Sequence, residues 1–210
     1  QPRRARAPGP LRRATAPTTV ADDPGWGRPR DIALGAVAPQ LALRRASGPG
    51  EQAPVVALRI LSVSFAAGLL LIAVVTLFVT SGGSGEGAIP TAPASVGAGL
   101  LAVAGVAVGR TWRATLTCGP ADEVVSAFRV RFLLRLALCE GPAMAGFVLA
   151  ILTGSPLPYL AALPIALVGI ALDAPTAARL RAEDERLALT GCGTSLHGAL
   201  VGAAGPADPV

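Results

Sequence analysis

The amino-acid sequence predicts an all-α integral membrane protein, a bundle of four transmembrane helices behind a disordered N-terminal arm. Three observations carry that prediction. Hydrophobic residues make up 52% of the 210 and charged residues only 15%, with a mean hydropathy of +0.57, a balance typical of chains solvated by lipid. The apolar residues gather into long runs broken by glycine, proline and charge. Arginine, the sole basic residue type, is absent from alternate loops, which is the asymmetry that orients membrane helices.

Residues 1–50 hold nine arginines against Asp22, Asp23 and Asp31, with many prolines and glycines and little apolar periodicity. Such a segment cannot bury enough apolar surface to order itself, so a disordered basic arm is expected. Trp26 is its only aromatic residue and no nucleic-acid module is recognisable, so no nucleic-acid partner is expected. No apolar stretch follows Arg3-Arg4 or Arg12-Arg13, which argues against an export signal. The use of Arg without Lys is read as a coding bias and not as a demand for guanidinium chemistry.

The membrane domain is placed at 51–189. Its first span, 58–80 (LRILSVSFAAGLLLIAVVTLFVT), carries one charge, Arg59, at the end where it can snorkel to the interface. The run SGGSGEG at 81–87 ends that helix. A second span follows at 88–108, with Pro90 and Pro93 in the first turns, where a missing N–H costs least. Arg110, Trp112 and Arg113 mark the next membrane edge. Gly119-Pro120-Ala121-Asp122-Glu123 reads as a helix start, with acids beside the positive end of the dipole. Val124, Val125, Phe128 and Phe132 continue at helical spacing into a third span, 132–153, interrupted by Arg135 and Glu140.

Gly154-Ser155-Pro156 forms a turn, and the fourth span, 157–172, covers only about 24 Å at 1.5 Å per residue, so it must borrow flanking residues or thin the bilayer. Tyr159 is expected at its interface. Acids and arginines alternate over 176–189 as on an exposed helix, and 190–210 reads as a disordered tail. The loops at 81–87 and 154–156 hold no Arg, whereas Arg110, Arg113, Arg129, Arg131, Arg179, Arg181 and Arg186 lie on the alternate side. The predicted location is therefore the inner (plasma) membrane, with both termini cytoplasmic.

Cys118, Cys139 and Cys192 are odd in number and lack CxxC spacing, so they are read as small hydrophobes, with no disulfide framework and no zinc site. His197, five residues after Cys192, sits in the expected tail and is not read as a metal ligand. No phosphate loop, nucleophile elbow, HExxH or carboxylate pair occurs, so neither an enzyme nor a cofactor is expected.

Small residues let membrane helices approach closely, and they recur in rows here. Gly105 and Gly109 form a GxxxG pair, Ala94, Ala98 and Ala102 a second row, and Ala137, Gly141 and Ala145 a third. Glu140 stands inside the third span. A carboxylate costs about 2.5 to 3.5 kcal/mol at a span's centre, so such groups pair, turn to the protein interior or take up a proton. Arg135, five residues back, lies about 140° around the helix and is poorly placed for an ion pair. Pro142 frees the carbonyl of Leu138, to which a protonated Glu140 would be able to donate. Three roles stay open for Glu140: a hydrogen bond between helices, proton binding, or contact with substrate or headgroup water.

The segment LALCEGPAMAGFVLA at 136–150 resembles the carboxylate helix of the c subunit of rotary F-type ATP synthases, and GAGLLAVAGVAVG at 97–109 is similar to that family's first helix. The resemblance implies a proton-carrying role for Glu140 alone. The whole chain is similar to small four-span bacterial membrane proteins of unknown function that carry such a c-like helix, a group that implies no activity. The expectation is a structural or accessory membrane component, in contact with the lipid bilayer and associating as a homo-oligomer or within a membrane complex. The alternative is a proton-binding or proton-translocating proteolipid.

Overall fold

The computed structural model describes residues 38, 41, 54–82, 87–111 and 118–201. Apart from Ala38 and Leu41, the expected basic arm at 1–50 lies outside the described residues. The described chain is helical, in the order α1 Pro54–Ser81, α2 Thr91–Thr111, α3 Ala121–Thr153, α4 Leu157–Asp173, α5 Ala177–Leu189 and α6 Leu196–Val201. α1, α2 and α3 are each long and apolar enough to cross a membrane, and α4 reaches that standard only together with α5, from which it is bent by 59°.

Length explains how the helices are used. α3 has 33 residues, about 50 Å, against a hydrocarbon core of about 30 Å, so one end must stand outside it. The helix runs unbroken through Arg135, Glu140 and Pro142, and the Leu138 carbonyl that Pro142 leaves without its usual partner lies against Gly105 of α2. It ends at Gly154, whose positive φ of 62° lets its N–H reach back to the carbonyls of Ala150 and Ile151. Pro156 and Pro158 then open α4, and Ala174-Pro175 closes it before Thr176 caps α5 by accepting the N–H of Arg179.

α2, α3 and α4 pack on one another, and α1 lies against α3 and α4 without meeting α2 among the described residues. Leu70, Leu71, Val74 and Phe78 of α1, Val96, Leu100 and Val103 of α2, and Val130, Val148 and Ile151 of α3 are exposed. An apolar surface of that extent suits contact with lipid. The buried line continues past the spans at one end, where Val55, Val56, Val124, Phe128, Leu180, Leu187, Leu196 and Leu200 form a core between α1, α3, α5 and α6.

Four expectations are corrected at that end. Arg59 does not snorkel: it is 1% exposed, and its Nε donates to the carbonyl of Pro175 at 3.0 Å. The expected tail does not trail away over 191–201, where Cys192, Leu196 and Leu200 are buried and α6 packs on α1, α3 and α5; 202–210 lie outside the described residues. Cys118 and Cys192 are not isolated hydrophobes: they form a disulfide across 74 residues, with Cα atoms 5.4 Å apart. Only the third cysteine, Cys139, is free, and it is buried. α5 is likewise not exposed all round, since Leu180, Glu183 and Leu187 share a buried face.

Candidate functional site

Glu140 stands on the flank of α3 turned away from α2. Leu138 and Pro142 face Gly105 of α2, while Cys139 and Gly146 face Gly169 and Pro158 of α4. At 100° per residue Glu140 falls between that α4 face and the exposed line of Val130, Ala137, Gly141 and Val148. Its side chain is half-buried. Among the described residues it makes no hydrogen bond and no ion pair. The carbonyl of Leu138 that Pro142 frees is turned to Gly105 and receives nothing from Glu140.

Arg135 has other partners. Its Nη1 lies 3.7 Å from Oδ1 of Asp173 at the end of α4, and the same oxygen accepts Nη2 of Arg179 at 2.6 Å. Glu183 of α5 binds Nη2 of Arg131 at 3.3 Å and Nη1 of Arg186 at 3.2 Å. These four arginines and two acids form a belt where α4 turns into α5. Local sequence did not reveal it, because the residues come from three helices.

The small residues divide into those that pack and those that do not. A Cβ on Gly105 would meet the Leu138 carbonyl oxygen at 2.4 Å, whereas one on Gly109 would meet only side chains at 3.7 Å or more. Ala94, Ala98 and Ala102 are buried, the latter two against Ala162 of α4. On α3 the expected packing row faces outward. Ala137 and Gly141 are exposed and Ala145 is half-buried, and nothing lies within 4 Å of a Cβ placed on Gly141. The helix instead packs through Cys139, Ala143, Gly146 and Ala150, which are buried. This 3.6-residue row was visible in the sequence, but Ala and Gly lie on every face of α3 and do not select one.

Tyr159, expected at an interface, is a core residue: it is 0% exposed, its hydroxyl donates to the Leu69 carbonyl at 2.6 Å, and Phe147 packs edge-on to its ring. His197 is buried within α6 rather than in a tail. Its Nε2 has no hydrogen-bond partner, and its backbone N–H donates to Asp184. Among the described residues no three His, Cys, Asp or Glu side chains gather as metal ligands. The chain matches no protein-family model, no curated protein and no solved structure.

Proposed function

We propose that the chain is a non-enzymatic, four-span component of the inner membrane that works by associating with another membrane helix through the open flank of α3. The observation behind this is Glu140: a half-buried carboxyl with no hydrogen bond inside the described chain, beside the exposed Ala137 and Gly141. A carboxyl at that depth favours a partner, and two small neighbours leave room for a helix to come close. Glu140→Gln keeps both shape and hydrogen-bonding capacity, so it should associate like the parent. Glu140→Leu should weaken association by about 1 kcal/mol, read as a shift in the oligomer or co-purified fraction. Equal association in all three would remove Glu140 from the interface.

The resemblance of 136–150 to a c-subunit carboxylate helix supports a second reading, proton binding at the same residue. Here Gln, which cannot ionise, should abolish carbodiimide labelling and any proton flux in reconstituted vesicles while the fold stands. A parent protein inert in both assays leaves association as the sole role of Glu140.

Four crossings are supported by the contact between Arg59 near the start of α1 and Pro175 after α4, since a chain returned to its starting side has crossed an even number of times. α4, with 17 residues, then needs a locally thinned bilayer or a turn from its neighbours. Every described arginine belongs to that same end, which supports cytoplasmic termini. Cysteines placed at Ser81 and Leu189, both exposed, test the orientation. In intact cells an impermeant thiol reagent should label Ser81→Cys and spare Leu189→Cys, and the opposite pattern would invert the topology.

A further inference from the structure

Where α4 bends into α5 a cleft of about 330 Å³ opens, lined by Arg110 of α2, Arg135 of α3, Asp173 of α4, and Arg179, Glu183 and Arg186 of α5. Four guanidinium groups therefore face two carboxylates, and both carboxylates are already shared. Asp173 serves Arg179 and Arg135, and Glu183 serves Arg186 and also Arg131, which does not line the cleft. Arg110 has no hydrogen bond or ion pair among the described residues. The Nε of Arg135, which lines the cleft, is buried without an acceptor, a state that costs free energy until an acceptor arrives.

The unmet need is for negative charge and for acceptor oxygens, with no donors required. A phosphate group supplies both, and its oxygens match the planar fork of a guanidinium better than a spherical anion does. Depth points the same way. Arg110 follows the apolar run ending at 108, and Asp173 is the last residue of α4, so the cleft lies at the level where lipid phosphates and juxtamembrane solutes are both within reach. We infer that this cleft is a binding site for a phosphate group, carried either by an acidic phospholipid headgroup or by a free phosphate. The coding bias toward Arg does not produce this arrangement, because it sets residue type and not the convergence of four helices on one cleft.

The test uses the full chain in a nonionic detergent free of phosphate. Its thermal unfolding midpoint is followed against inorganic phosphate and against chloride at equal ionic strength, then against mixed micelles containing phosphatidylglycerol or phosphatidylcholine. A ligand that binds only the folded state raises the midpoint as it saturates. Inorganic phosphate or phosphatidylglycerol should raise it above its control, and Arg110→Gln and Arg186→Gln, both at exposed positions, should each raise the half-saturating concentration about tenfold. Arg129→Gln, from a separate groove beside Ala199, should titrate like the parent. A response to phosphatidylglycerol alone assigns the site to a lipid headgroup, and a response to free phosphate as well assigns it to the phosphate group itself. If neither ligand moves the midpoint, or if Arg129→Gln weakens the response as much as Arg110→Gln does, the inference is overturned.

Discussion

Reduction of the Cys118–Cys192 bond should lower stability by roughly 2 to 4 kcal/mol and release α6 before any span separates. The bond joins residues 74 apart in sequence, and chain entropy alone assigns about 4 kcal/mol to a loop of that size. The value falls toward the lower figure because α3 and α4, packed on each other, already restrict where the loop ends can go. α6 has six residues, too few to stay helical unaided. It is held by burial of Leu196 and Leu200, by the Asp184 carboxylate, which accepts the N–H groups of Leu196 and His197, and by the Thr194 hydroxyl, which donates to the Gly119 carbonyl at 3.0 Å. Those contacts survive reduction but must then close a longer, freer loop. Hydrogen exchange on the oxidised and reduced protein should show amides of 192–201 losing protection first. Unchanged exchange in α6 would mean that the disulfide does not clamp it.

The same bond bears on orientation. It lies at the arginine-rich end, which the proposed topology turns toward a reducing cytosol, where structural disulfides are rare. With that topology, alkylation during rapid lysis should trap Cys118 and Cys192 as thiols, and prior oxidation of the cells should protect both. A pair already resistant to alkylation in untreated cells would place this end outside the cytosol, in agreement with inverted labelling at Ser81 and Leu189.

Features that depend on runs of adjacent residues were legible in the sequence. The start of α3 at Pro120-Ala121, its passage through Pro142 and its stop at Gly154 follow from capping chemistry and unbroken hydrophobicity, which act within one helix. Features that depend on two distant segments were not. Nothing near Cys118 reports Cys192, and nothing near Arg59 reports that the Pro175 carbonyl, 116 residues further along the chain, lies beside it. The packing face of α3 was obscured for a different reason. Ala137, Gly141 and Ala145 are as small as Ala143, Gly146 and Ala150, and only the position of α4 decides which row is covered. Glu140 was legible as an unusual residue by its charge alone, while its lack of a partner inside the described chain required the fold.

Gly105→Ala should destabilise the protein by about 3 kcal/mol, the upper part of the range for overpacking, although it adds a single methyl group. The added Cβ would lie 2.4 Å from the Leu138 carbonyl oxygen and 2.9 Å from Cγ of Pro142. The first of these is backbone, and the second belongs to a ring with little freedom, so no rotamer change relieves the clash and α2 and α3 must move apart. Their separation would also disturb Ala98 and Ala102, which pack on Ala162 of α4. Gly169→Ala provides the comparison, because its Cβ would meet Sγ of Cys139 at 2.6 Å and Cγ2 of Val106 at 2.8 Å. Both are side-chain atoms, though short and stiff ones, so a smaller loss of about 1 to 2 kcal/mol is expected there. Gly97→Ala, with nothing within 4 Å, should be neutral or gain up to about 1 kcal/mol from improved helix propensity. Unfolding of the three variants in mixed detergent should therefore rank Gly105 below Gly169 and Gly97 at or above the parent. If Gly105→Ala unfolds with Gly97→Ala, the α2–α3 contact is not the close backbone approach that the Leu138 carbonyl and Gly105 define.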